Sequence, residues 1–151
     1  MSEYVYKEEK FGDFLEEMKG LLQSHYEELS VTKSFGLNPN YDRYLELQEI
    51  GELFCLTCRK DGELIGYIIY FVYRHLHYWD CLTAMEDVYF IKNTERQGRV
   101  GLKLFNEAEK CLKEYGVNRI NISCKVHLDH TKIFEHLGYK LIEKHFTKLL
   151  D

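Results

Sequence analysis

The sequence predicts an α+β fold: a mixed central sheet of about six to seven strands, flanked by about four helices, in three α/β/α layers. Three observations carry this. A hairpin is written into residues 53–73, where Leu53 to Arg59 and Leu64 to Tyr73 flank an Asp61-Gly62 turn. Its second strand, Ile65-Gly66-Tyr67-Ile68-Ile69-Tyr70-Phe71-Val72, is apolar on both faces, as a strand covered on both sides must be. Finally, an apolar run over 84–92 leads into the glycine-containing turn Arg96-Gln97-Gly98-Arg99-Val100-Gly101 and then at once into a helical pattern.

Taken in order, Tyr4-Val5-Tyr6 reads as a short first strand. Helical spacing starts at Asp13, which with Glu16 three later has the form of a capping box, and runs through Phe14, Leu15, Met18, Leu21, Leu22, His25, Tyr26 and Leu29. Pro39 breaks the pattern. A second helix is expected over 41–50, with Tyr44, Leu45, Leu47 and Ile50 inward and Gly51 ending it. After the hairpin, His75 to Asp80 is an aromatic-rich connection to the 84–92 strand. The helix after the glycine turn should bury Val100, Leu104, Phe105, Ala108, Cys111, Leu112 and Tyr115 and stop at Gly116. Arg119 to Ser123 is a short strand. A last helix covers about 129–137, Gly138 stops it, and 139–150 reads as one or two closing strands.

The 151 residues, 1–151, suit one domain with a single core. A net charge of −5 lacks the basic footprint of a nucleic-acid binder and favours a cationic or neutral partner. The N-terminus has no signal-peptide pattern, and the longest apolar run, Tyr67 to Tyr73, is too short to span a bilayer. Neither nucleic acid nor membrane is expected as a partner. Five cysteines, an odd count, suggest free thiols in a reducing, cytoplasmic setting. Cys55-x-x-Cys58 and His75-x-His77 carry zinc-type ligands. Residues three apart on a strand face opposite sides, so the thiols should not converge, and no metal is expected.

The 84–112 stretch is the functional signal. Strand, glycine turn and helix N-terminus make an anion cradle of backbone N–H groups. A P-loop needs Lys-Ser/Thr after the last glycine, whereas Leu102 follows Gly101. A dinucleotide turn needs three glycines and usually follows the first strand. The stretch instead resembles the acetyl-coenzyme A motif of the GNAT N-acetyltransferase superfamily. Ile133-Phe134-Glu135-His136-Leu137-Gly138-Tyr139 resembles that family's second signature, and the element order fits from about residue 10 to the end. The closing residues 144–150 and the Leu76-His77-Tyr78 loop look like small acetyltransferases encoded by bacteriophages.

The resemblance implies acetyl-coenzyme A as co-substrate, transfer to a primary amine of a small molecule or protein, and the cytoplasm (a host's, if phage-encoded). It is compatible with a homodimer. The turn from Arg96 through Gln97, Gly98, Arg99 and Val100 to Gly101 would hold the pyrophosphate. Phe90 and Ile91 would present backbone groups to the pantetheine arm. His127, His130 and Lys132 would flank it, with Phe134 beside them, and Lys103 could add charge. Acetyl transfer needs a base for the amine proton. Asp87 and Glu86 are the candidates. Alternation places Asp87 with Tyr89 and Ile91 and Glu86 with Val88 and Phe90, so only one should face the acceptor. Asp87 matches the subgroup pattern better. His25, Tyr26, His75, His77, Tyr78 and Trp79 are candidates for the acceptor side.

Two departures stand out. With Arg96 and Gly101 matched to the family's turn, Arg99 takes a glycine's place. Phe134 stands where the family often has the tyrosine that protonates the leaving thiolate. Water, Tyr139 or another group could serve, or the sulfur leaves unaided, since such a thiol is about as acidic as a Cys side chain, pKa ~8.5. Alternative readings are a non-catalytic GNAT-fold protein that binds and regulates a host or partner protein, and a transferase with a longer acyl donor.

Overall fold

The computed structural model describes residues 2–30 and 35–150. Its element order is β1 (Tyr4–Glu8), α1 (Phe11–Leu29), α2 (Tyr41–Glu49), β2 (Leu53–Lys60), β3 (Glu63–His75), β4 (Tyr78–Ile91), α3 (Val100–Tyr115), β5 (Arg119–Asn121) and α4 (Thr131–His136), with a single turn of 3-10 helix at Asn93–Glu95. The strands form one sheet in the order β1-β2-β3-β4-β5. All neighbours are antiparallel except β4 and β5, which run parallel. The sheet is therefore mixed, as the sequence predicts.

The two-faced apolar run does what its pattern implies. Ile68, Tyr70 and Val72 of β3 join Phe54, Leu56 and Cys58 of β2 in a core under Leu104, Phe105, Ala108 and Leu112 of α3. The alternate residues, Tyr67, Ile69 and Phe71 with Leu53 and Cys55, pack on the other face against Phe11, Phe14 and Met18 of α1. Helices thus cover both sides of one sheet. Cys55 and Cys58 fall in opposite cores, as strand alternation requires. The hairpin turn is Asp61-Gly62, both with positive φ (50° and 88°), the conformation an Asp-Gly pair tolerates. Gly116 ends α3 at φ 101°.

Several boundaries differ from the sequence reading. Helix α1 starts at Phe11, two residues before Asp13, and its N-cap is Lys10, with no side-chain cap bond. Burying Phe11 against the sheet outweighs the capping preference of Asp13. On α2, Tyr44 and Leu47 pack inward, but Leu45 and Ile50 are exposed. Tyr115 is exposed too, and its hydroxyl donates to the carbonyl of Gly51 (2.9 Å). Strand β4 starts at Tyr78 rather than 84, because the 75–78 connection is itself a tight hairpin end.

Among the described residues the sheet has five strands, not six to seven. Residues 139–150 form no strand, and Leu141, Ile142 and Phe146 are 80%, 73% and 91% exposed. Their apolar residues come as adjacent pairs, Leu141-Ile142 and Leu149-Leu150, so no single register puts them on one face. Strand β5, only three residues long, also offers a short ladder. Among the described residues no helix is long and apolar enough to cross a membrane.

Gly66 on β3 shows how closely β3 and β4 approach. A Cβ there would lie 2.8 Å from the Phe90 carbonyl oxygen and 3.0 Å from Ile91 Cγ1. Gly66→Ala is expected to destabilise the fold by about 1–3 kcal/mol, the usual range for overpacking, read as a lower urea midpoint at unchanged slope.

Candidate active site

The site starts from one extra residue. Ile69 of β3 pairs with Val88, but the next residue, Tyr70, pairs with Glu86. Asp87 has no partner across the ladder, so β4 carries a β-bulge there. The bulge breaks simple alternation. Glu86 stays on the α3 side with Tyr89 and Ile91, while Asp87 joins Val88 and Phe90 on the α1/α2 side. The two acids do face opposite ways, as expected, but the companions expected for each are exchanged.

Each acid is met by a hydroxyl. Tyr44 donates to Asp87 Oδ2 at 2.5 Å, and Ser123 donates to Glu86 Oε2 at 3.0 Å. Burial raises the Asp87 carboxyl above its usual range, and the Tyr44 bond offsets part of this. Burial pushes Glu86 up to about 7, with Ser123 opposing and the nearby Asp87 charge adding. Burial and the Asp87 bond together keep Tyr44 protonated.

On the far side of β4 the sheet opens. Strand β5 pairs with β4 only over Thr83–Met85, so residues 86–91 present a second edge with no strand partner. This edge runs toward the glycine turn and the start of α3. Gly98 adopts φ 60°, Arg99 is the N-cap, and no side chain caps the first turn. The first intrahelical bond of α3 is Lys103 N–H to the Arg99 carbonyl (2.9 Å), leaving the N–H groups before it to meet an anion.

Arg96 faces inward rather than toward that first turn. Its Nε donates to the Ile91 carbonyl (2.6 Å), its guanidinium lies 5.2 Å from the Phe90 ring centroid, and it forms a two-pronged ion pair with Glu28 of α1. His127 shares a bond with the Glu28 carbonyl (2.9 Å). The end of α1 is thereby tied to both the turn and the segment after β5.

Beyond Tyr44 lies a cavity of about 400 Å³ between α1, α2 and the sheet, lined by Phe11, Met18, Tyr41, Tyr67 and Val88 among others. Behind its wall, buried His25 shares a 2.8 Å hydrogen bond between Nδ1 and the Tyr67 hydroxyl, and stacks on Phe90 at 4.8 Å. Burial lowers His25 to about 4, so its ring is neutral at pH 7.

The model of the acetyltransferase (GNAT) family matches residues 16–139. The chain belongs to this family. No curated protein matches the sequence. Among solved structures, an aminoglycoside acetyltransferase from an uncultured soil metagenomic sample superposes with TM-score 0.75 at 12% identity, over 98% of this chain and 97% of the other. The ribosomal-protein-alanine N-acetyltransferase of Brucella melitensis biovar Abortus 2308 gives 0.75 at 15% identity, over 99% of both chains. The glucosamine-6-phosphate N-acetyltransferase of Arabidopsis thaliana gives 0.72 at 12%, again over 99% of both. These likenesses carry the fold. The family, together with such neighbours, makes the chain an acyltransferase.

Within that frame the remaining predicted residues separate. Phe90 and Ile91 lie on the open edge of β4, and Gln97 to Gly101 form the turn at its end. Lys132 is exposed on α4. Phe134 is buried in the α3-side core, edge-on to Phe105 at 5.4 Å and to Tyr89 at 6.1 Å. His130 accompanies it and shares a 2.9 Å bond with the Tyr89 hydroxyl. His75, His77 and Tyr78 cluster at the β3–β4 hairpin tip and do not line the cavity, whereas Tyr26 does. Among the described residues no group of three or more His, Cys, Asp or Glu comes together as a metal site. Sequence reasoning gave Tyr44 and Tyr67 no functional part. Tyr41 and Tyr44, three apart on α2, were the available signal for an aromatic wall.

Glu86 sets a pH dependence. Its folded value, about 7, exceeds the ordinary 4.5, so the folded protein binds its proton more tightly than the unfolded chain. Stability should fall as pH rises through that interval. Glu86→Gln should flatten the fall, with urea midpoints gaining more over wild type at pH 8 than at pH 4.

Proposed function

We propose that the protein transfers an acetyl group from acetyl-coenzyme A directly to a primary amine, with Asp87 as general base. The observation that carries this is the β4 bulge. It turns a half-buried carboxylate to the face where Tyr44 bounds an aromatic cavity, beside a strand edge that no described strand pairs and that ends at an uncapped helix. The residues suit the co-substrate. Backbone N–H groups from Gly98 to Gly101 and the exposed Arg99 side chain would hold the pyrophosphate. Phe90 and Ile91 would bond the pantetheine arm along the open edge, and a β4 N–H would polarise the thioester carbonyl. Arg96 would act by shaping the turn, since its guanidinium is engaged by Glu28.

Acetyl-coenzyme A supplies the acyl group as a thioester. The amine nitrogen forms the C–N bond as the C–S bond breaks, its proton goes to Asp87, and sulfur leaves with the electron pair. A carboxyl raised by burial suits this task better than an ordinary Asp. For the sulfur's proton, Tyr89 is the hydroxyl beside the Phe134 ring, and it is held by His130. Burial keeps Tyr89 protonated and His130 neutral. Glu86 offers a second reading of the base, because about 7 is the value a base at neutral pH needs. It faces the side away from the cavity, which favours Asp87.

Asp87→Asn is expected to lower kcat about 10²–10⁴-fold, the usual worth of a general base, with the Kd for acetyl-coenzyme A by calorimetry unchanged. If Glu86→Gln has that effect and Asp87→Asn does not, the roles are reversed. No binding of acetyl-coenzyme A at all would sink the whole reading. Tyr89→Phe should slow thiol release at least tenfold at pH 7 and less at pH 9, where the thiolate departs more readily unprotonated.

A further inference from the structure

We propose that the acceptor is a monoamine: one primary ammonium carried on a flat, apolar body of the arylalkylamine class, and not a polycation. This rests on the active-site reading above and concerns the same cavity. None of the described residues that line the cavity is acidic or basic. Its walls are Phe11, Tyr41, Tyr44 and Tyr67, with Met18 and Val88 between them. One carboxylate, Asp87, lies just outside this lining, next in sequence to the wall residue Val88 and joined to the wall through the Tyr44 hydroxyl. Asp87 Oδ2 is taken by Tyr44, and Oδ1 is the oxygen left to meet an amine.

That arrangement offers one countercharge and a large apolar surface. An aromatic or alkyl body would replace water against the rings, and its ammonium would reach Asp87. A polyamine or aminoglycoside would bring further ammonium groups against a wall whose described residues include no acid, where each loses hydration without a countercharge. At about 400 Å³ the cavity sits at the small end of ligand pockets, roughly 300–1,000 Å³, which suits one ring and a short arm.

The test uses the full chain, acetyl-coenzyme A and thiol release, with 2-phenylethylamine, spermidine, kanamycin and an alanine-terminated peptide at matched concentrations. The expected result is a kcat/KM for 2-phenylethylamine about 100-fold or more above the other three, the scale at which a pocket discriminates by unpaired polar groups or lost apolar contact. Leu22→Trp, a partly buried lining residue, should raise the KM for 2-phenylethylamine about tenfold or more and leave acetyl-coenzyme A binding unchanged. If acetyl-coenzyme A binds but spermidine, kanamycin or the peptide is the better acceptor, or 2-phenylethylamine is not turned over, the monoamine proposal is overturned and the transferase reading stands. Loss of acetyl-coenzyme A binding in the wild-type chain would instead remove the transferase reading itself.

Discussion

The extra residue in β4 is the constraint on which the rest of the site depends. A regular strand would have sent Asp87 and Val88 to opposite faces. The bulge lets Val88 and Phe90 keep their places in the α1/α2 core while Asp87 turns to the same side and meets Tyr44. The apolar pattern of the strand is preserved and a carboxylate is inserted into it. A bulge also twists its strand locally. The residues of β4 beyond it are the ones that have left β5 behind.

That divergence defines two working surfaces on one strand. The face toward α1 and α2 holds the acid and the aromatic cavity. The edge toward β5 holds unpaired backbone groups leading to the glycine turn. Phe90 links the two, because its ring lies between the His25 ring, at 4.8 Å, and the Arg96 guanidinium, at 5.2 Å. Arg96 in turn grips Glu28, which ties the turn to the end of α1, and that end borders the cavity through Tyr26. The aromatic cavity and the glycine turn are joined by one packed chain of contacts rather than standing apart.

Much of the architecture was legible because it rests on local chemistry. Asp61-Gly62 specified the hairpin, the two-faced β3 run specified a covered sheet, and Gly116 specified a helix end. The strand, glycine turn and helix around residues 84–112 were legible in order. Their directions were not, since a bulge adds a residue without altering composition or hydrophobic pattern. The family motif places Phe134 beside the cofactor; its ring packs in the α3-side core, and the sequence does not show that Tyr89 and His130 pack beside it. The closing strands failed for a different reason: apolar content suggested strands, but paired rather than alternating residues left no face to bury.

The two acids can be set against other carboxylates in the same molecule. Glu9 is also partly shielded, and it is locked to Arg59, which also holds Glu17. That is how this chain uses a buried carboxylate for structure: a guanidinium with bidentate geometry neutralises it and ties β2 to α1. Glu86 and Asp87 are treated differently. Each is half-buried and its carboxyl raised, and each is met by a neutral hydroxyl rather than a guanidinium. A hydroxyl orients a carboxylate without supplying a full countercharge, so the group keeps its appetite for a proton or a cation. Such an arrangement costs stability and returns none of it through packing. At Asp87 that unbalanced group sits at a bulge, beside a cavity whose described lining holds no acid.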